Sequence, residues 1–412
     1  MKNCRIAYLE IDNFGVFEHL RIDFSKDKKD PENAEIHILT GENGTGKTTI
    51  LECLTIKFDD KPGKTTNTNF SKGKDRENVF RFGIENSHKR DKYIINQQKE
   101  LEQRETYEFA AFCYAGYRKI SGIKVIGPQR IEDSPLKDSL NFSKSINPHN
   151  LIQWIVNTKT NELNSKGRGD FEKAKLFKKT LEILENVISD IINQSVLFDI
   201  DDNFDVLLII DELSLPFDVM PDGLKSMTLW LGDLLMRMDR IKWKDDLPIF
   251  ERNFILFLDE IEVHLHPAWQ RKILPVVQKL FKNAQIFIST HSPFVVGSVD
   301  GAWVHKLKKE GAYAVLDGEP TLSSDGKTFV QILADTFDIT SLFGEQNERK
   351  ILKFKAIKDL ILSGQQYDET EFNTLIDELS KESRALENLI SMEIKQINKT
   401  LGIDILAIHA TV

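Results

Sequence analysis

The chain begins with alternation. In "CRIAYLEIDNFGVFEHLRIDF" (4–24) the apolar pairs Leu9/Ile11 and Leu20/Ile22 fall two residues apart, the period of half-buried strands. An antiparallel pair is predicted there. "EIHIL" (35–39) is a short apolar strand leading into a glycine-rich loop, and "KTTILECLTIKF" (47–58) reads as the helix that follows. Residues 59–92, rich in Gly, Asn, Ser and Lys, read as an irregular insertion. "YEFAAFCYAGYRKI" (107–120) returns to strand, 150–195 turn helical, and 204–219 are strand-like again.

The second half carries stronger patterns. "GLKSMTLWLGDLLMRMD" (223–239) places Leu224, Met227, Leu231, Leu234, Leu235 and Met238 on one helical face. "FILFLDE" (254–260) and "AQIFISTHS" (284–292) are apolar enough to be buried strands, and between them "PAWQRKILPVVQKLFK" (267–282) is an amphipathic helix opened by Pro267. From about residue 346 the pattern is helical and charged, with a stripe of Leu386, Ile390, Ile394, Ile397 and Leu401. No internal repeat is visible. Strands and helices alternating around a glycine-rich loop predict an α/β sheet.

Composition narrows the class. Of 412 residues 41% are hydrophobic and 29% charged, which is the balance of a globular protein with a core. No apolar run approaches the roughly 20 residues that span a bilayer, so no membrane segment is expected. The start "MKNCRIAYLEIDNF" lacks the shape of a leader peptide. Cys4, Cys53 and Cys113 form no CxxC pair, which argues against a zinc site and for a reducing compartment; a cytoplasmic location is expected. A net charge of −9 argues against a surface given over wholly to nucleic acid. Locally the balance reverses: from Lys61 to Lys92 nine Lys/Arg face four Asp/Glu. A solvated loop and a contact patch for nucleic acid or an acidic partner both fit that bias.

Gly41-Glu-Asn43-Gly44-Thr45-Gly46-Lys47-Thr48 matches G-x4-G-K-[ST] in full, between a strand and a helix as the motif requires. The glycines let backbone N–H groups from Asn43 through Thr49 curl around phosphates at a helix N-terminus. Lys47 would reach the β- and γ-phosphates of ATP, and the Thr48 hydroxyl would hold Mg²⁺. Two apolar strands end in Asp-Glu: "VLLIIDE" (206–212) and "FILFLDE". Order separates them. His291 lies 32 residues beyond Asp259 at the end of its own strand, and no comparable histidine follows Asp211 without crossing the other candidate. Asp259 is therefore assigned to Mg²⁺, Glu260 to the base that polarises the attacking water, and His291 to sensing the γ-phosphate. Asp211-Glu212 remains the structural alternative. His264 and His266 in "HLHP" read either as a metal pair, which needs a further ligand, or as a loop packing at a subunit interface.

This order of motifs resembles the ABC-type ATPase heads of the SMC, Rad50 and RecF group. That group carries a signature motif opening a helix before the second acidic strand, and "MPDGLKSM" (220–227) occupies the place, with Gly223 standing 36 residues before Asp259. The resemblance is closest to stand-alone bacterial AAA-family ATPases of antiphage systems, such as the PtuA subunit of Septu and of some retrons. It rests on "YAGYR" (114–118), "PDGLKSMTLWLGDLLMRMD", "LDEIEVHLHPAWQ", "STHSPFVV" and "SSDGKTFVQILADTFDI" (323–339), and covers most of the chain. It implies an ABC-ATPase head: a P-loop core sheet plus an antiparallel β part, a helical insertion and a helical C-terminal region. Asp222, Gly223 and Lys225 would serve the γ-phosphate of a second protomer. Pro221 stands where relatives often have Ser, and Asp222 caps the helix but repels a triphosphate; slow hydrolysis is expected. The polar contact that relatives draw from a Q-loop falls on Gln129 in "IGPQR" or on Arg118.

The expected organisation is an N-terminal lobe (1–149) with the basic insertion at 59–92, a helical insertion (150–200), a C-terminal lobe (201–318) and a mostly helical partner or oligomerisation region (319–412). The function implied by the resemblance is a homodimer, or a higher homo-oligomer, sandwiching ATP and controlling a partner chain. An HNH nuclease of the PtuB type is the expected partner, since no HNH pattern or TOPRIM-like acidic cluster is visible in this chain. Nucleic acid would be met through that complex, and no membrane. The alternative is a RecF-like DNA-repair clamp binding duplex DNA.

Overall fold

The computed structural model describes residues 5–24, 32–56, 58, 79–85, 106–116, 124–323 and 326–402. The chain forms two compact units, Met1–Phe337 and Asp338–Val412. The first begins β1 (Arg5–Phe14), β2 (Phe17–Asp23), β3 (Glu35–Gly41), α1 (Lys47–Ile56), β4 (Val79–Glu85) and β5 (Ala110–Ala115). Next come α2 (Pro148–Gly167), α3 (Phe171–Ile192), β6 (Val196–Ile200), β7 (Val206–Ile210) and β8 (Leu213–Pro216). The unit is completed by α4 (Asp222–Arg240), β9 (Phe254–Asp259), α5 (Pro267–Leu280), β10 (Gln285–Ser289), α6 (Pro293–Val296), β11 (Trp303–Glu310), β12 (Tyr313–Leu316), β13 (Thr321–Leu322) and α7 (Phe329–Phe337).

One sheet organises this unit. Its order is β12-β11-β3-β10-β9-β5, with β13 also paired to β11. The five strands from β11 to β5 run parallel, and β12 and β13 join antiparallel. The parallel strands are apolar on both faces because both faces are covered. Ile255 and Phe257 of β9 and Phe287 of β10 join α1, β1 and β2 in one core. Phe254, Leu256 and Leu258 of β9 and Ile286 and Ile288 of β10 join α2, α3, α4 and α5 in the other. The order matters for chemistry: β10 lies between β3 and β9, so the loop after β3, the Asp-Glu pair after β9 and the His after β10 leave the sheet side by side.

The β1–β2 pair is antiparallel as the alternation predicts, in register from Tyr8↔Asp23 to Phe14↔Phe17. The sequence reading of 59–92 as irregular needs correction. β4 lies inside it and pairs with β1 from Arg5↔Glu85 to Asp12↔Val79. "VFRFGIE" alternates, but short alternation is masked by the charge and glycine around it. The remainder of the insertion, 59–78 and 86–92, lies outside the described residues, as does Arg118.

β6, β7 and β8 form a separate three-stranded antiparallel sheet. Asp211 and Glu212 are its two-residue β7–β8 turn, with φ of 45° and 74°, as tight hairpins require. Asp211 accepts from Ser195 N–H (3.0 Å) and Gln194 Nε2 (2.9 Å). The alternative acidic strand end, Asp211-Glu212, is thus a hairpin turn.

The second unit contains α8 (Glu345–Leu362), α9 (Glu369–Glu382) and α10 (Arg384–Leu401). These helices have their own core, with Phe354 stacked on Phe372 at 5.3 Å. Leu386, Ile390, Ile394 and Ile397 of the predicted stripe are buried in it, and Leu401 is exposed at the helix end. Among the described residues no helix is long and apolar enough to cross a membrane.

Candidate nucleotide site

The loop between β3 and α1 curls through three positive-φ glycines, Gly41 (140°), Gly44 (79°) and Gly46 (85°). Two of them also have no room for a side chain. A Cβ on Gly41 would stand 2.2 Å from the Leu307 carbonyl oxygen, and one on Gly46 would stand 2.5 Å from the Phe17 ring. The strands β11 and β2 therefore mould the loop from either side. Asn43 and Gly44 stand exposed at its tip, and Thr45 is buried, donating its hydroxyl to the Glu42 carbonyl (2.8 Å). Thr49 follows on α1, its methyl 3.1 Å from where a Cβ on Gly15 would sit in the β1–β2 turn.

Lys47 is buried at the start of α1, and its ammonium donates to the Gly41 and Glu42 carbonyls, both at 3.0 Å. Burial holds its pKa below the usual lysine value, although Glu260, Asp259 and Glu262 all pull it up. Its charge is one that phosphate oxygens would stabilise. The Thr48 hydroxyl lies 3.0 and 3.1 Å from the two Asp259 carboxylate oxygens. The Ser289 hydroxyl, at the end of β10, donates to the same carboxylate. Burial pushes Asp259 above the usual carboxylate range, only partly offset by those two hydroxyls. A hydroxyl and an under-compensated carboxylate make an oxygen donor set, which is the chemistry a hard cation such as Mg²⁺ takes.

Glu260 turns out of β9 in the left-handed region, at φ 50°. Its N–H donates to the Ser289 carbonyl (3.1 Å), which fixes that turn against β10. Its carboxylate stands 3.5 Å from Nε2 of His291. Burial first, and then the Lys47 charge, push the His291 pKa below the usual histidine value, against a smaller pull from Asp259. The imidazole is therefore neutral at pH 7. Thr48, Asp259, Glu260, His291 and Lys47, taken from three separate stretches of sequence, are neighbours in space.

Three further residues belong here and are not singled out by the sequence. Glu262 is buried, and its Oε1 accepts from the Thr290 hydroxyl and from His291 N–H (3.0 Å), holding the histidine loop to the turn after β9. Gly116, after β5, donates its N–H to the Asp259 carbonyl (2.7 Å), and a Cβ there would fall 1.7 Å from the Glu260 carbonyl oxygen. Lys309 on β11 stands 3.9 Å from the Glu42 carboxylate, beside Gly44. An acid three residues past Asp259 was a readable signal for Glu262; nothing local marks Gly116 or Lys309.

The signature segment is packed within its own chain. Gly223 is buried where a Cβ would meet the His264 carbonyl at 2.4 Å. Ser226, one turn on, donates to the Gly116 carbonyl (3.1 Å). Asp222 does not cap α4: Pro221 occupies the N-cap position, Asp222 is the first helical residue, and no side-chain cap bond forms. Lys225 donates to the Asp218 carbonyl (2.8 Å). His266 is a helix cap, accepting from Ala268 N–H at 3.2 Å to start α5. Among the described residues no cluster of three or more metal-ligating side chains occurs. Gln129 lies exposed on the loop before α2, its backbone tied to the Asn157 side-chain amide at 3.0 and 2.7 Å.

A phosphate loop facing an acid-and-histidine pair on the next two parallel strands defines an ATPase head of the ABC type. The chain belongs to the family described as AAA domain, putative AbiEii toxin, Type IV TA system, whose profile spans residues 36–297. A further AAA-domain profile matches residues 4–59. Among curated relatives it is similar to the Septu protein PtuA of Bacillus thuringiensis, 24% identical over 306 residues, or 71% of this chain and 72% of that one. It is also similar to the retron Ec83 probable ATPase of Escherichia coli, 28% identical over 158 residues, which are 38% of this chain but only 28% of the relative. A solved SMC head bound to the C-terminal winged-helix domain of ScpA covers 76% of this chain and 97% of its own, at 13% identity and a TM-score of 0.40.

Proposed function

We propose that this chain binds ATP with Mg²⁺, hydrolyses it slowly, dimerises around it, and thereby controls a partner nuclease in bacterial antiphage defence. The observation that carries the reading is the convergence of the Thr48 hydroxyl on the Asp259 carboxylate at 3.0 Å, with Glu260 and His291 beside it. Lys47 and the N–H groups of the loop bind the phosphates. Thr48 and Asp259 hold the cation, whose charge would stabilise negative charge building on the phosphate oxygens. Glu260 orients the attacking water and draws off its proton; neutral His291 donates a hydrogen bond from Nε2. Asp222, Gly223 and Lys225 meet the triphosphate of a second copy, which supplies the missing wall. Similarity to a Septu protein and to a retron ATPase supports the defence setting.

The decisive sample is Glu260→Gln. It is expected to lose about 10²–10⁴ of the hydrolysis rate, the usual worth of a positioned base, while still binding ATP and doubling in mass when ATP is added. A mass unchanged by ATP, measured by light scattering, sinks the sandwich. The duplex-DNA alternative rests on the charge bias of residues 61–92. It requires salt-dependent DNA binding by this chain alone, lost on charge reversal of Lys72, Lys74, Arg76, Lys89 and Arg90.

A further inference from the structure

The connection from β5 to α2 contains no helix or strand over its described stretch, 124–147. Irregular connections longer than about 12–15 residues are uncommon in compact domains and usually have a function when they are held in one shape. Two arginines on the last turns of α4 hold this one. Arg237 donates to the carbonyls of Pro135 (2.7 Å), Lys137 (2.9 Å) and Ser145, while its Nε is paired with buried Asp233. Arg240 donates to the carbonyls of Ile131 (3.0 Å) and Asp133 (2.6 Å). The loop is thus wrapped around two guanidinium groups by its backbone, and its side chains line a cavity of about 330 Å³.

Cations outnumber carboxylates on the lining of that cavity. Lys137, Lys144, Arg237 and Arg240 line it, against the carboxylates of Asp133 and Asp138. Asp233 balances Arg237, and Asp133 balances Lys137 at 2.7 Å. Lys144 has no ion pair among the described residues. Arg240 forms no ion pair within 4 Å among the described residues, and only its Nη2 is taken up by the loop carbonyls. Asn147 and Pro148, the N-cap and the first residue of α2, also line the cavity. Its volume sits at the small end of the roughly 300–1,000 Å³ that ligand pockets occupy.

We propose that this cavity is a second ligand site, separate from the phosphate loop, which takes a small phosphate-bearing anion on Lys144 and Arg240. A compact, polar, cation-lined hollow suits a phosphate group, whose oxygens accept several charge-assisted bonds at once.

The test uses the full chain carrying Lys47→Ala, which removes the loop ammonium, and inorganic pyrophosphate as the probe. Calorimetric titration is expected to show saturable binding to this variant. Adding Lys144→Glu should weaken that binding about tenfold or more, the loss of one charge-assisted bond, with the melting temperature of the ligand-free protein unmoved. Lys137→Glu serves as a second variant on the same rim. Absence of binding in the Lys47→Ala protein overturns the proposal, and so does affinity untouched by either rim variant. Displacement of pyrophosphate by a short single-stranded oligonucleotide at lower concentration overturns the small-ligand class.

Discussion

Single side chains decide the chemistry through what surrounds them. Glu262 touches no expected substrate atom, yet it is the acceptor for both Thr290 and the His291 N–H. Glu262→Ala leaves the buried Thr290 hydroxyl and the half-buried His291 N–H without their acceptor, at about 1–3 kcal/mol for the buried one, and frees the histidine loop. ATP turnover is expected to fall about 10- to 100-fold, as a misplacement near 1 Å would cause, with ATP affinity unchanged in an equilibrium titration. Equal losses in both would make Glu262 a general stability residue. His291 yields a pH prediction. Its pKa is lowered, so the neutral form persists below the ordinary value of about 6.5. Hydrolysis should hold level as pH falls through 6.5 and decline only further down; an acid limb at or above 6.5 contradicts the assignment. The phosphate loop, Asp259, Glu260 and His291 were legible because each sits at the end of an apolar strand. Glu262 was legible only as an acid three residues past Asp259; its role was not, because the donors that satisfy it lie 28 and 29 residues away.

At the scale of elements, the informative joints are between β5, β9 and α4. Gly116 bonds the β9 end through its N–H and the α4 start through its carbonyl, and its Cα faces the Glu260 carbonyl without room for a methyl group. Tyr114, two residues earlier, donates to Asp233 farther along α4 (2.9 Å). Gly116→Ala therefore forces the turn at Glu260 to shift. It is expected to cost about 1–3 kcal/mol by overpacking and to abolish hydrolysis; wild-type turnover alongside a wild-type melting curve would refute the contact. Helices were read well from their stripes: the 223–239 stripe became α4 within a residue at each end. β4 was missed because seven alternating residues inside a basic, glycine-bearing stretch give a weaker signal than the composition around them. Asp222 was misread because Pro221, preset in φ, can hold the N-cap position without any side-chain bond.

For the whole molecule, the unit Asp338–Val412 has a core of its own, built on Phe354, Phe372 and Leu379. A fragment of residues 338–412 is expected to be helical by circular dichroism and to melt cooperatively. A featureless spectrum would show that it depends on the rest of the chain. The sequence marked this region as helical and charged, but the break at Phe337 was not legible: α7 ends there and α8 begins at Glu345, and the short stretch between them looks like any other connection between helices. The clasp at Gly116 reaches furthest when two copies are considered together. If each composite site takes its loop from one chain and its signature from the other, a Lys47 variant and a Gly223 variant, mixed, should rebuild one working site from their undamaged faces. A Gly116 variant should rescue neither, because the residue joins the catalytic turn to the signature helix and so spoils both contributions of its chain. In a genetic cross it would behave as a single lesion with two addresses.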